Sequence, residues 1–287
     1  MAVIGKVTDM SSQESEPDLR SSPRSQGVGG GPGAGRMYDY YLGGDSHSAA
    51  DEESARNAIA SFSDLQAMAR ENRAFLLRAV RHLAEDAGVD QFLDLGAGPL
   101  GAQNVHEVAQ AAAPGAHVVY ADHDEDLVAR AQDTLGGAQD GRTAYIQADL
   151  REPERLLAHP KVLELIDFDR PIALLLAAVL HFFPDEYEPG PIVRTLVDAL
   201  PAGSHVVASH VSPEYDPEGM ARLVEAYRAA GMPGQARTAE ELAHLVFGEL
   251  DLIHPGLVPV SHWWPEGSDP RPGPATPSLY GGVGRKD

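Results

Sequence analysis

The chain of 287 residues has a formal charge of −21 at pH 7, from 43 Asp and Glu against 22 Lys and Arg, with no cysteine and a hydrophobic fraction of 43%. It holds enough apolar material for one main domain, while the lack of cysteine excludes disulfides, thiolate nucleophiles and Cys–zinc sites. The acidic balance, with no Lys/Arg-rich run and no aromatic-basic interleaving, works against binding phosphate backbones, so nucleic acid is not an expected partner.

Residues 1–35 are rich in Ser, Gly, Pro and charge and end in GVGGGPGAG, a composition that cannot offset ordering entropy and reads as a disordered tail. Order is expected from Arg36, where RMYDYYLGG brings three tyrosines, through a helix near 50–60 and a longer one over 65–87. The second has apolar residues at Leu65, Met68, Phe75, Leu76, Val80 and Leu83, and Gly88 supplies its stop. Residues 36–88 thus read as an N-terminal helical cap or lid. From 89 to 287 strand and helix alternate in the way that builds a parallel sheet covered on both faces. Strands are expected at 91–95, 117–121, 143–147, 172–178 and 205–210. Helices fit at 105–113, 124–135, 154–158, 192–200, 217–230 and 238–247, the last opened by a T-x-x-E capping box of Thr238 and Glu241. Two late apolar stretches, 250–253 and 279–283, would close the sheet as a hairpin pair. The longest apolar run, 172–180, is too short to cross a bilayer, and the N-terminus lacks the basic-then-apolar order of a secretory signal. No membrane partner is expected, and a cytoplasmic location is.

FLDLGAGPLGAQN places Gly96, Gly98 and Gly101 in a G-x-G-x-x-G order directly after the first strand. That order serves dinucleotides, whose pyrophosphate lies over the glycines, but it also serves other adenosine ligands. Three acids fall at successive strand ends: Asp94, Asp122 and Asp149. A carboxylate at Asp94 would repel a pyrophosphate, whereas S-adenosylmethionine presents an ammonium and a sulfonium there, with its carboxylate left for loop N–H groups. Asp122 would then suit the ribose hydroxyls, Asp149 the adenine amino group, and Gly101 becomes an incidental residue near the next helix. A nicotinamide oxidoreductase that uses all three glycines remains the rival.

DLGAG, the acid of VVYADHDE, QADL and SLYGGVGRK resemble class I S-adenosylmethionine-dependent methyltransferases. RMYDYYLGG, ARENRAFLLRAVR, NVHEVAQ, LLAAVLHFFPD and PGLVPV further resemble an actinobacterial family of them long listed as a domain of unknown function. The resemblance implies an α/β, Rossmann-like fold with a seven-stranded, mostly parallel sheet, helices on both faces and an N-terminal helical cap. It implies S-adenosyl-L-methionine as cofactor and methyl transfer to a small molecule, with a non-catalytic cofactor-binding or regulatory protein as the alternative. The expected cofactor contacts are Tyr38, Asp94, Gly96, Ala97, Gly98, Asp122, His123, Asp149, Leu150 and Ala178.

His181, after the fourth strand in AAVLHFF, and His210, ending the fifth in VVASHVS, are the candidates for a base or for substrate positioning. Each also reads as a histidine that packs at a strand end. Tyr38, Asp39 and Tyr41 read either as a lid over the cofactor or as core packing. His106-Glu107 begins an H-E-x-x-H zinc motif, but Gln110 stands where the second histidine belongs, and no metal is expected.

Overall fold

In the computed structural model of the chain, which describes residues 31–136, 141–266 and 277–287, eight strands form one sheet. They are β1 (Gln91–Leu95), β2 (His117–Asp122), β3 (Thr143–Gln147), β4 (Ala173–Ala177), β5 (His205–Val211), β6 (Asp251–Leu252), β7 (Val258–Pro259) and β8 (Leu279–Arg285). Seven lie on the path β3-β2-β1-β4-β5-β8-β6, and β7 pairs with β8 beside it. The first five pair in parallel, while β8 runs antiparallel to β5, β6 and β7. This is the mostly parallel, Rossmann-like sheet, covered by helices, that the strand-helix alternation and the resemblance lead one to expect.

The period-two alternation of strand side chains divides the interior into two cores. Phe92, Val118, Ala173 and Val207 point to one face, where they meet Phe75, Val80 and Leu83 of α3 (Leu65–Glu85) and Val105 and Val108 of α4 (Val105–Ala112). Leu93, Val119, Leu174 and Val206 point to the other, against Leu156 of α6 (Pro153–Leu157), Val162 of α7 (Pro160–Leu165) and Leu196 of α8 (Pro189–Asp198). Both faces are covered, which is why the parallel strands read as continuous apolar runs. The remaining helices are α1 (Ala34–Leu42), α2 (Ala49–Ser61), α5 (Glu125–Gly136), α9 (Pro217–Ala229) and α10 (Ala239–Leu242).

Several expectations shift in detail. The tail expected over 1–35 falls largely outside the described residues, and α1 already begins at Ala34. That helix was not legible in RMYDYYLGG, yet its stop is ordinary: Gly43 adopts φ +80°, and its N–H turns back to the Tyr40 carbonyl. Strand β4 ends at Ala177 because Ala178 turns into a left-handed conformation, φ 54°. The two late stretches do pair antiparallel, as β6 and β8, and β8 lies between β5 and β6. The helix over 238–247 keeps its Thr238–Glu241 capping box but passes after Leu242 into a π-helical turn, Ala243–Phe247.

From β1 the chain proceeds to β2 and β3 on one side, then crosses back to lay β4 and β5 on the other. The reversal opens a crevice beyond the carboxyl ends of β1 and β4, where ligands of such sheets bind.

Candidate active site

The loop after β1 is shaped by two glycines. Gly96 and Gly98 adopt φ +68° and +64°, and a Cβ on Gly96 would stand 2.3 Å from Val179 Cγ2, so no side chain fits there. Gly101 has an ordinary φ and nothing within 4 Å of where a Cβ would stand, and α4 begins only at Val105, capped by Asn104 and Glu107. The third glycine of the triplet is held by Asn104, whose Oδ1 accepts from its N–H at 2.8 Å, and it does not line the cavity that the other two border. The loop N–H groups expected to meet a ligand carboxylate are turned inward instead. Gly96 and Ala97 donate to the Ala121 carbonyl, at 2.8 and 3.2 Å, and Gly98 donates to Asp122 Oδ2 at 3.0 Å. Tyr145 Oη donates to the Gly98 carbonyl at 2.6 Å, which fixes the loop from the other side.

The loop borders a cavity of about 910 Å³, and all ten expected cofactor contacts line it. Asp94 is buried, and among the described residues no hydrogen bond reaches its carboxylate. Burial pushes its pKa up to about 7, against the pull of Arg73 and with a push from Asp122. Such a group can accept a cation or a donor from a ligand, because an unpaired buried carboxylate is costly. Asp122 is different. Burial raises it, but His123, 3.3 Å away, and the N–H groups of Asp124 and Gly98 outweigh burial and hold it below its ordinary value. Asp149 reaches the cavity with its carboxylate gripped by Arg151 Nε at 2.9 and 3.0 Å, and that pairing outweighs burial to lower its pKa as well.

The helical cap is tied to this edge by buried polar links. Tyr38 Oη donates to the Ala69 carbonyl and accepts from Asn72 Nδ2; Asn72 Oδ1 accepts from Ser209 Oγ, which accepts from the Ala178 N–H. This chain joins α1, α3, β5 and the strained residue after β4. Asn72 was findable, since it falls on the buried stripe of α3 between Ala69 and Phe75. Arg36 bridges Asp51 and Asp124, drawing α1 and α2 towards the end of β2. Tyr38 and Tyr41 line the cavity, whereas Asp39 does not; it accepts from Ser46 N at 2.8 Å and pairs with His47 Nδ1 at 2.9 Å.

Of the two candidate histidines the structure brings only one to the cavity. His181, on a 3-10 turn after β4 (Leu180–Phe182), lines it; Nδ1 is buried with no partner among the described residues, which leaves Nε2 as the nitrogen free to meet a ligand. Burial first, then His210 and Arg237, holds His181 well below its ordinary pKa, so the ring is neutral. His210 is fully buried off the cavity, with Nδ1 2.8 Å from the Val211 carbonyl and Nε2 3.2 Å from Arg237 Nη1. It packs at a strand end. Arg237, which carried no signal in the sequence, is buried and also donates to the Leu180 and Phe183 carbonyls and to Asp185 Oδ1, bracing the segment that presents His181. His106 Nδ1 lies 2.9 Å from Tyr120 Oη, and no metal-binding cluster occurs among the described residues.

A family model described as S-adenosyl methyltransferase matches residues 28–287. The chain belongs to that family. It is a methyltransferase whose cofactor is S-adenosyl-L-methionine, and the family match does not favour the nicotinamide reading. Among solved structures, the methyltransferase is similar to a DUF574 family protein from Streptomyces avermitilis, at 37% identity and TM-score 0.82, covering 90% of this chain and 98% of that one. A candidate methyltransferase from Thermobifida fusca matches at 38% identity and TM-score 0.82, covering 90% and 96%. No curated protein matches. The unpaired Asp94 at the cavity wall fits a cofactor that carries an ammonium and a sulfonium. No helix among the described residues is long and apolar enough to cross a membrane.

Proposed function

We propose that this methyltransferase acts in the cytoplasm on a small molecule held in the same cavity as the cofactor. The observation that carries the reading is continuity: one space runs from the acid-lined loop after β1 to the aromatic walls around His181. Its volume is near the top of the range of ligand pockets, roughly 300–1,000 Å³, which suits two ligands side by side. Asp94 pairs with the cationic end of the cofactor, and Asp122 accepts from the ribose hydroxyls with the lone pairs left by Gly98 and Asp124. Gly96, Ala97, Gly98, Ala178 and Leu150 give close walls, His123 and Asp149 border the adenosine end, and Tyr38 covers it from α1. When bound, S-adenosylmethionine supplies an electrophilic methyl group. The protein's part is to align the acceptor and to take one proton, for which His181 Nε2 stands open. Because burial and Arg237 disfavour the imidazolium, His181 passes that proton on to water rather than storing it.

The test is to incubate the protein with labelled S-adenosylmethionine and a panel of small acceptors, following S-adenosylhomocysteine release. Turnover above the acceptor-free rate supports the reading. Tight binding of S-adenosylhomocysteine with methylation only of protein or nucleic acid added as controls would overturn it.

A further inference from the structure

The cavity wall is divided by charge. Among the described residues, every Asp, Glu and Arg that lines it lies between Arg36 and Arg151, whereas from Ala177 to Leu279 the lining holds no Asp, Glu, Lys or Arg. That second stretch is built on Phe182, Met220, Leu223, Tyr227 and Met232, with Tyr41 of the cap joining it. Its polar groups are largely committed to one another. The hydroxyls of Tyr41 and Tyr227 meet at 3.0 Å, and Gln235 gives both ends of its amide to Asp185. His181 Nε2 is left open.

We propose that the methyl acceptor is an uncharged aromatic molecule bearing a hydroxyl group, and not a carboxylate or an ammonium. The inference rests on the methyl-transfer reading above. An ionised carboxylate or ammonium brought to these walls loses its water and finds no opposite charge in return. An uncharged ring loses little water and gains contact with Phe182, Tyr227 and the thioethers of Met220 and Met232. The hydroxyl meets the open nitrogen of His181. In the transfer the acceptor oxygen forms the new C–O bond, and the electron pair of the broken C–S bond stays on sulfur, giving S-adenosylhomocysteine. The hydroxyl proton goes to His181 Nε2 and on to water.

Three probes of one shape separate the possibilities: 2-naphthol, 2-naphthoate and 2-naphthylmethylammonium, titrated by calorimetry into the full chain saturated with S-adenosylhomocysteine at neutral pH. 2-Naphthol is expected to bind at least tenfold more tightly than either charged analogue. Phe182→Ala should weaken that binding about tenfold while leaving S-adenosylhomocysteine affinity unchanged. Equal or tighter binding of a charged probe overturns the inference. So does binding of none of the three, or 2-naphthol affinity unmoved by Phe182→Ala. S-adenosylhomocysteine binding is measured first, and its failure would overturn the cofactor assignment of the cavity instead of the acceptor class.

Discussion

The two halves of the cavity are built by opposite means. Under β1, β2 and β3, carboxylates sit at strand ends, the loop backbone is forced into positive φ at Gly96 and Gly98, and the nearby N–H groups are tied down by Ala121 and Asp122. Beyond β4 and β5 the wall is apolar side chains carried by a 3-10 turn and by α9, and its polar groups are neutral. Strand ends fix direction closely, so charges placed there can meet a ligand of constant shape. Side chains on a turn and a helix shape an outline, which suits the partner that varies between enzymes. In the proposed function, charge serves recognition of the cofactor and apolar contour serves selection of the acceptor.

Four measurements would break or sharpen this contrast. The largest effect is expected in the apolar half: His181→Ala should lower kcat roughly 10²-fold, the low end of general-base contributions because the buried imidazolium is disfavoured, with cofactor affinity unchanged. A fall in cofactor affinity instead would move His181 to the charged half. Next, Asp122→Ala should weaken S-adenosylhomocysteine binding about tenfold or more, since hydrogen bonds to a carboxylate contribute roughly 1.5–3 kcal/mol. An unchanged Kd by calorimetry removes Asp122 from the ribose site.

A pH series tests Asp94. With its pKa pushed up to about 7, the carboxyl takes up a proton as pH falls through 7, so affinity for a cationic ligand should drop by at most about tenfold per pH unit below that value. The unliganded protein should show the reverse trend in stability. The folded pKa lies above the ordinary 3.8, so this group's contribution is favourable at low pH and is lost as pH rises between 3.8 and about 7. Asp94→Asn should flatten both curves; if the slope in affinity persists, another group binds the cation. The smallest effect contrasts two glycines. Gly101→Ala should change stability by about 0.5 kcal/mol or less, while Gly96→Ala should cost about 1–3 kcal/mol through the Val179 overlap. Equal losses in denaturant unfolding would mean that Gly101 is as sterically constrained as Gly96.

The sequence by itself determined the parallel strands, the acids at their carboxyl ends and the glycine turn between them. Each is a local property: period two fixes the face a strand residue takes, and a Gly-x-Gly after an apolar run fixes a tight turn. It also placed His181 at the edge of β4 and leaned towards packing for His210, while leaving both as candidates. Only the tertiary structure decided between the histidines, because Arg237 reaches His210 from 27 residues along the chain. It alone turned the loop N–H groups inward, since Asp122 lies 24 residues from Gly98. It alone joined the cap to the sheet, through Asn72 and Ser209, 137 residues apart. Hydrogen bonds and burial between distant positions leave no period to read, and the charge division of the cavity appears only once the fold gathers those positions around one space.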